Sequence, residues 1–164
     1  MKGLLVGLLA GAGLCLGGAA HAADMISLGG AAYHFERDLG YNEFNYGLGY
    51  ERDWNKDISW SVGVYKNSIR RATFYGLANY YPWAPGAGFR FGLSGGAMTG
   101  YHHSAVIGTL MPTAEWRGKY FSVQSYVVPT IKPYIDGAVV FQLKIMLDRE
   151  PPRDDAPKEQ AAGG

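Results

Sequence analysis

Large apolar residues alternate with small or polar ones through most of the chain after residue 23. In residues 44–51 every even position is a large apolar or aromatic residue, and every odd position is asparagine, glycine or glutamate. Residues 58–64 repeat this alternation with isoleucine, tryptophan and valine against serine and glycine. A period of two is the signature of a β-strand with two different faces. The pattern therefore predicts an all-β protein.

Turn residues divide the chain into eight such segments. These segments exceed the usual strand of about 5–6 residues and reach the roughly 9–11 residues that cross a bilayer. An even number of long antiparallel strands is typical of bacterial outer-membrane barrels, so we predict an eight-stranded antiparallel transmembrane β-barrel. Alternation alone would also suit a globular sandwich, which buries its apolar side. The predicted strands are 25–35, 42–54, 57–67, 70–83, 88–101, 106–117, 119–130 and 136–147.

Three joins are compact turns, at residues 53–57, 82–86 and 117–119, and we assign them to the periplasmic side. The joins after the first, third, fifth and seventh strands then face outward. Residues 23–147 form the barrel domain in this interpretation. Residues 148–164 contain paired prolines, paired aspartates and a small-residue end without an apolar pattern, so we predict a disordered tail.

The N-terminal segment has the features of a secretory signal. A lysine at position 2 precedes an apolar run over residues 3–16, and Ala20-His21-Ala22 offers the small residues that a signal peptidase reads. We therefore predict a signal peptide at residues 1–22 and a location in the cell outer membrane. The one cysteine of the chain, Cys15, falls in this segment, so the mature protein is expected to have no disulfide.

Composition supports a barrel and excludes other classes. The chain has 12 tyrosines, 4 tryptophans, 7 phenylalanines and 24 glycines with only 18% charged residues, as expected of aromatic girdles and close strand packing. The net charge is +1 and no basic cluster is interleaved with aromatic residues, so we expect no nucleic-acid partner. No spacing resembles a metal site, no cofactor is predicted, and we expect a monomer.

The few residues able to do chemistry follow odd-numbered strands. His34 lies at the end of the first predicted strand, Asn67 and Ser68 at the end of the third, and residues 102–104 (His-His-Ser) after the fifth. Strand parity places all of them at the outer rim. A histidine within hydrogen-bond reach of a serine is the minimum for acyl transfer, because the hydroxyl needs a base beside it.

The order of these residues resembles the PagP lipid A palmitoyltransferases of Gram-negative outer membranes, over roughly residues 28–147. The family's catalytic histidine follows an aromatic-rich first strand, as in Tyr-His-Phe at 33–35. Its Asp-Ser pair follows an aromatic residue and a lysine, as in Tyr-Lys-Asn-Ser at 65–68. His34 and Ser68 match the family, and Asn67 stands where the family has aspartate.

Two prolines extend the resemblance. The family has one in strand six and one in strand seven, and Pro112 and Pro129 fall at similar places here. Proline cannot donate to the strand ladder, so two prolines in neighbouring strands predict a gap in the barrel wall. The resemblance implies that this gap admits phospholipid. Pro129 fits a bulge or strand end equally well.

The resemblance implies a function and its partners. We expect transfer of a palmitoyl-type chain from a phospholipid donor to a lipid A acceptor, assisted by His34 and Ser68. Asn67 can orient a group but carries no charge. Arg70 and Arg71 are expected to bind lipid A phosphates. The interior is expected to be apolar around the acyl chain, with room left by small residues that we place inward: Gly76, Ala78, Gly92, Ser94 and Gly96.

Two alternatives stay open. The His-x-Ser step at 102–104 resembles the lipid A deacylase PagL, although Ala105 follows it where that family has asparagine. His102 and His103 fit an exposed loop better than a catalytic site. The second alternative is a non-catalytic barrel, in which Arg70 and Arg71 are ordinary rim charges.

Overall fold

A computed structural model describes residues 23–101, 105–133 and 135–147 of the protein. The predicted signal peptide at 1–22 and the predicted tail at 148–164 lie outside the described residues. In the described part the chain forms eight strands and one short 3-10 helix, Arg37–Leu39. The strands are β1 (Asp24–His34), β2 (Phe44–Asp53), β3 (Ile58–Lys66), β4 (Ala72–Gly86), β5 (Phe89–Thr99), β6 (Val106–Arg117), β7 (Phe121–Val128) and β8 (Ala138–Met146).

The strands close into a barrel. Each strand pairs antiparallel with the next, and β1 pairs with β8 from Met25↔Met146 to His34↔Ala138. This confirms the predicted eight-stranded antiparallel barrel and each of the eight predicted strands, whose bounds differ from the prediction by at most three residues.

The two faces of the barrel have the polarity of a transmembrane protein. On β2 the apolar side chains of Phe44 and Leu48 are 69% and 61% exposed, whereas Asn45 and Glu51 are 5% and 0% exposed in the interior. A water-soluble sandwich would bury the apolar set, so this arrangement decides between the two interpretations of the alternation. In the residues described, no helix is long and apolar enough to cross a membrane.

The two ends of the barrel differ in their connections. One end, called the turn end, has the short joins at 54–57, 87–88 and 118–120. The other, called the loop end, has the connections that follow β1, β3, β5 and β7. His34 is the last residue of β1, so it lies at the loop end.

One predicted turn is wrong. The prediction ended the fourth strand at residue 83 and placed a turn at 82–86, but β4 continues to Gly86 and the chain reverses at residues 86–88. The three reversing residues have φ values of +106°, +52° and +81°. The β4–β5 register shifts between Tyr80 and Trp83 and again before Gly86, which lets the strand carry Pro82 and Pro85.

Exposed aromatic residues form a belt near each end of the barrel. Such belts mark the two interfaces of a membrane, where an amphipathic or apolar ring meets the headgroup region. The loop-end belt contains Tyr33, Phe35, Phe44, Tyr46 and Phe74, and the turn-end belt contains Trp54, Tyr80, Trp83, Phe89 and Phe121.

A cluster of buried charges fills the turn half of the barrel. The Lys144 ammonium donates to Glu51 Oε2 at 2.6 Å and to Glu115 Oε1 at 3.1 Å. Arg90 and Arg117 also bind Glu115. The expectation of an apolar interior is therefore wrong for this half. We call the set the interior charge cluster; its members are Glu51, Asp53, Arg90, Glu115, Arg117 and Lys144.

Candidate functional site

His34 and Ser68 meet at the loop end. The imidazole Nε2 of His34 lies 2.8 Å from the hydroxyl oxygen of Ser68, a normal hydrogen-bond distance. His34 ends β1 and Ser68 lies in the turn between β3 and β4, so barrel closure brings together residues far apart in sequence. His34 is only 4% exposed. A buried imidazole hydrogen-bonded to a hydroxyl is able to move a proton to or from that hydroxyl.

Asn67 supports the turn that carries Ser68. Its side-chain oxygen accepts from the backbone N–H groups of Ile69 and Arg71, at 3.1 and 2.9 Å. Its amide donates to Thr73 Oγ1 at 3.0 Å and to the Gly100 carbonyl at 2.9 Å. Asparagine favours such turns because its side chain substitutes for backbone partners. Asn67 thus fixes the position of Ser68 through the backbone of the turn.

Tyr41 and Asp136 complete the polar surroundings of His34. The Tyr41 ring lies against the imidazole, with ring centroids 4.7 Å apart. The Tyr41 hydroxyl donates to Asp136 Oδ2 at 2.5 Å. This hydrogen bond to a carboxylate, more than burial, raises the pKa of Tyr41 to about 12. The phenol therefore keeps its proton at neutral pH and continues to donate.

A cavity of about 610 Å³ runs from this cluster into the barrel. His34, Ser68, Tyr41 and Asp136 all line it at the loop end. The volume lies in the range of small-molecule sites, roughly 300–1,000 Å³. Around and below this polar cluster the cavity wall is mainly apolar and aromatic, with Tyr65, Met98, Ile107, Val128 and Val140.

The cavity ends at a small apolar cluster. Leu77, Met111 and Tyr126 are buried together, and the Tyr75 ring packs against them. These residues line the cavity, but the next inward-facing residue on each strand does not. Those next residues are buried polar side chains: Asn79 on β4, Thr113 on β6, Gln124 on β7 and, on β8 after Gln142, Lys144. The apolar cluster is therefore the floor between the cavity and the interior charge cluster.

The barrel wall has an unpaired stretch beside the cavity, between β6 and β7. In the described chain these strands share five register pairs, from Arg117↔Ser122 at the turn end to Thr113↔Tyr126. On its other side β6 pairs with β5 as far as Thr99↔Val106. In the described chain, residues 106–112 therefore pair with β5 on one side but not with β7 on the other. Ile107 and Val128, on the two sides of this gap, both line the cavity.

Pro112 lies where the β6–β7 ladder stops, and Pro129 lies three residues beyond Tyr126, the last β7 residue of that ladder. Pro112 directly precedes Thr113, the last ladder residue of β6, and is exposed on the outer face. The sequence places Pro129 inside the seventh strand, but the structure places it one residue beyond the end of β7 at Val128. A residue that lacks an N–H cannot continue the ladder, which explains the early end of the strand.

Other predicted site residues lie nearby or outside the described chain. Arg70 and Arg71 are exposed on the turn that carries Ser68, and Arg70 has a φ of +63°. Residues 102–104 lie outside the described part. Among the residues described, no group of three or more His, Cys, Asp or Glu side chains is placed to hold a metal ion.

Two of the small residues predicted to face inward face outward instead. Gly76 and Ala78 flank the buried residues Leu77 and Asn79, and side chains alternate between faces. Ser94 does face inward, donating to Asn79 Oδ1 at 2.6 Å, but it does not line the cavity.

Gly92 and Gly96 share the inward face of β5 with Ser94, but neither lines the cavity. A Cβ at these two positions would lie 1.7 Å from the Tyr80 carbonyl oxygen and 2.1 Å from the Gly76 carbonyl oxygen. They therefore allow close approach of the β4 backbone. The room for a ligand does not come from this row of small residues.

Sequence reasoning missed Tyr41 and Asp136. Both lie in loop-end connections, where no periodicity identifies a facing side chain. The available signal was that an aromatic residue and an acid occur in connections that share the predicted rim with His34. That signal does not distinguish Tyr41 or Asp136 from the other tyrosines and acids there.

Comparison with known proteins adds little to this description. No protein-family model and no curated protein matches the chain. Among solved structures, the chain is similar to the N-terminal β-barrel domain of Pseudomonas aeruginosa OprF, with a TM-score of 0.42 and 14% sequence identity. The match covers 76% of this chain and 95% of that domain. At this degree of likeness the barrel and its site must be interpreted from their own geometry.

Proposed function

We propose that this protein is an outer-membrane acyltransferase that moves a palmitoyl-type chain from a phospholipid to lipid A. The observation that carries the proposal is the 2.8 Å contact between His34 Nε2 and Ser68 Oγ at the mouth of an apolar cavity. A proton-transfer pair beside a long apolar cavity suits an ester whose acyl chain is stored in the barrel. The resemblance to the PagP family supports the same function.

The outer surface supports the location and the lipid partners. The exposed residues between the two aromatic belts are mainly apolar, including Leu48, Val62, Leu93, Leu110 and Leu143. A barrel with this surface is stable in a bilayer, where its strands satisfy each other's backbone groups. A protein in the outer membrane meets phospholipid and lipid A directly, so neither substrate has to cross water.

The proposed reaction is a direct transfer between the two lipids. A hydroxyl of lipid A attacks the ester carbonyl carbon and gives its proton to His34 Nε2. The Ser68 hydroxyl turns from His34 to the carbonyl oxygen and stabilises the developing negative charge. The bond to the glycerol oxygen then breaks, and that oxygen takes the proton from His34 to give a lysophospholipid. Arg70 and Arg71, exposed beside Ser68, hold the lipid A phosphates.

Lipid A mass decides between this function and its alternatives. The protein is expressed in a Gram-negative strain that lacks its own palmitoyltransferase, and the extracted lipid A is weighed by mass spectrometry. We expect a gain of one acyl group over the empty-vector strain. Loss of an acyl group would identify a deacylase, and an unchanged mass with the protein folded in the outer membrane would identify a non-catalytic barrel.

Narrowing the β6–β7 gap is expected to slow acyl transfer. Pro112 and Val127 are both exposed on the outer face where the ladder ends. Because Cys15 is the one cysteine in the chain, Pro112→Cys with Val127→Cys can be joined selectively in the mature barrel by a short thiol cross-linker with a cleavable disulfide. The cross-link narrows the gap at the end next to the ladder, so we expect lipid A acylation to slow on cross-linking and to recover on reduction.

A matched pair on the complete β5–β6 ladder controls for the cross-linker. Gly95 and Leu110 are register partners there, so Gly95→Cys with Leu110→Cys joins strands that are already paired. This variant should keep its activity when cross-linked. Full activity of the cross-linked Pro112→Cys and Val127→Cys variant would show that phospholipid does not enter at this end of the gap.

Lowering the cavity floor is expected to change which acyl chain is transferred. Leu77 is 8% exposed and lies in the floor cluster with Met111 and Tyr126. Leu77→Ala removes three carbons and deepens the cavity if the floor does not collapse. With a mixture of phosphatidylcholines of different chain length, the product distribution should shift to longer chains. Leu93→Ala, on the outer face, should leave it unchanged.

A further inference from the structure

We infer that Asp136 is the carboxylate of this site and acts on His34 through Tyr41. The inference deepens the proposed acyltransferase function and rests on it. It starts from the fact that position 67, where the resembling family has aspartate, is a neutral asparagine here. The Asn67 amide and carbonyl are engaged by Thr73, Gly100 and backbone N–H groups of its own turn. Asn67 supplies no charge to His34, so a carboxylate that acts on His34 has to lie on another element.

The β7–β8 connection brings Asp136 to the site. The backbone N–H of Phe35 donates to the Gly137 carbonyl at 3.0 Å, which continues the β1–β8 pairing past His34↔Ala138. Gly137 fits tightly there, because a Cβ would lie 2.2 Å from Thr130 Oγ1. Asp136 is the next residue, and it lines the same cavity as His34 and Ser68. Its position is thus fixed by the backbone on the strand side.

Tyr41 connects the carboxylate to the histidine. Its ring lies 4.7 Å from the His34 ring, at an angle of 39°. Its hydroxyl donates to Asp136 Oδ2. The following residue, Asn42, donates its backbone N–H to the Ser68 carbonyl at 2.8 Å. One short segment therefore contacts the histidine, the serine turn and the acid at the same time.

His34 needs this support because its second nitrogen has no hydrogen bond. In the described structure His34 Nδ1 is buried without a partner. In many acid–base sites a hydrogen bond to that nitrogen fixes the ring. Here the Tyr41 ring, held in place by Asp136, restricts the imidazole to the orientation that faces Ser68. The negative charge of Asp136 also favours the proton that His34 accepts during the reaction.

Two ion-pair groups lie on the connections beside His34, and one of them includes Asp136. Arg37 and Glu43 form an ion pair at 3.1 Å on the connection between β1 and β2. Lys132 binds Asp136 at 2.9 Å and also binds Glu36. The ammonium of Lys132 holds the second carboxylate oxygen of Asp136, which leaves Oδ2 directed to Tyr41. Tyr41 and Asp136 are therefore positioning residues, whereas His34 and Ser68 are the catalytic pair.

The test is steady-state kinetics of the full mature protein in detergent micelles. The donor is dipalmitoyl phosphatidylcholine and the acceptor is purified lipid A. We expect Asp136→Asn and Tyr41→Phe each to lower kcat about 10- to 100-fold, a share of the roughly 100- to 10,000-fold that a positioned acid or base contributes. KM for the phospholipid should change little, because both residues line only the polar mouth of the cavity and the acyl chain lies along its apolar wall. Asp136→Glu should restore most of kcat.

Asp38→Asn is the matched control. It removes an exposed carboxylate from the connection between β1 and β2, and its kcat should equal that of the wild type. The double variant of Tyr41 and Asp136 should lose no more activity than either single variant, since the two act as one unit. Wild-type kcat in Asp136→Asn, or a rise in KM alone, would overturn the inference while leaving the acyltransferase function intact.

A second measurement does not depend on turnover. The ring nitrogens of His34 are observed by NMR in ¹⁵N-histidine-labelled protein in micelles, with His34→Gln to assign the signals. Asp136→Asn and Tyr41→Phe are expected to shift or broaden them, and Asp38→Asn is not. Unchanged His34 signals in both variants would overturn the inference, whether or not the protein transfers acyl chains. Absence of acyl transfer in the wild type would refute the proposed function separately.

Discussion

Replacing His34 by alanine is expected to lower the rate of lipid A acylation by a factor of about 100 to 10,000, the usual contribution of a positioned acid or base. The imidazole is buried at the cavity mouth and bound to Ser68 Oγ. In the alanine variant a water molecule would have to act as the base, and it would not be held in the same geometry. The measurement is acyl transfer from radiolabelled dipalmitoyl phosphatidylcholine to lipid A by purified protein in micelles.

Ser68→Ala is expected to give a loss of about 100- to 1,000-fold, as does removal of one donor from an oxyanion site. The control is Ser61→Ala, which removes another buried serine hydroxyl on β3. Ser61 does not line the cavity, so its variant should transfer acyl chains at the wild-type rate. Equal losses in Ser61→Ala and Ser68→Ala would point to a general effect on the barrel.

The His34→Ala, Ser68→Ala double variant separates a cooperating pair from two independent residues. If the two act on one ester, the double variant should be about as slow as the slower single variant. Losses that multiply would contradict a shared role. Nearly full activity in both single variants, with the barrel folded, would move the reaction away from this site.

The sequence is sufficient for the barrel because its signal is local. Alternation over residues 44–51 and 58–64 is a property of each strand alone, and turn residues separate the strands. Alternation does not reveal which face of a strand points outward and which points into the barrel. The structure decides this by burying Glu51 and exposing Leu48. The prediction for Gly76 and Ala78 is wrong for the same reason: alternation puts them on one face of β4, and the structure shows that this is the outer face, opposite Leu77 and Asn79.

The candidate site is also predictable from the sequence only in part. His34 and Ser68 could be placed at one rim from strand parity, because parity fixes the end of the barrel that each residue reaches. Tyr41 and Asp136 could not, because their meeting depends on how two loop-end connections fold over the barrel mouth. The length of the gap on the loop-end side of Pro112 could not be predicted either. It depends on which residues of β6 and β7 pair, and that pairing joins two separate strands.

The interior charge cluster was hidden for a related reason. Its acids and bases come from four strands, β2, β5, β6 and β8, and lie far apart in the sequence. Each such residue can be interpreted as facing water. Only closure of the barrel brings Glu51 of β2 beside Lys144 of β8 and makes a neutral set of three acids and three bases.

Lys144→Met is expected to destabilise the barrel by about 3–5 kcal/mol, because removing one partner of a buried ion pair leaves an uncompensated charge. Lys144 is 0% exposed and binds both Glu51 and Glu115. Glu115 keeps Arg90 and Arg117 after the substitution, whereas Glu51 keeps the Ser59 hydroxyl at 2.8 Å. The loss therefore falls mainly on Glu51. The measurement is the free energy of unfolding from urea titration of the folded protein in lipid vesicles.

Two further variants identify the cause of that loss. Glu51→Gln combined with Lys144→Met removes both charges and should recover a large part of the stability, since replacing a whole buried pair is often nearly neutral. Lys56→Met removes a lysine whose side chain is 88% exposed and should leave the unfolding midpoint unchanged. If Lys144→Met is as stable as the wild type, Glu51 is either protonated or hydrated from the turn end. Stability that falls as the pH is raised would identify protonation. Stability that does not vary with pH would identify hydration, and the interior charge cluster would then be a hydrated passage below the cavity floor.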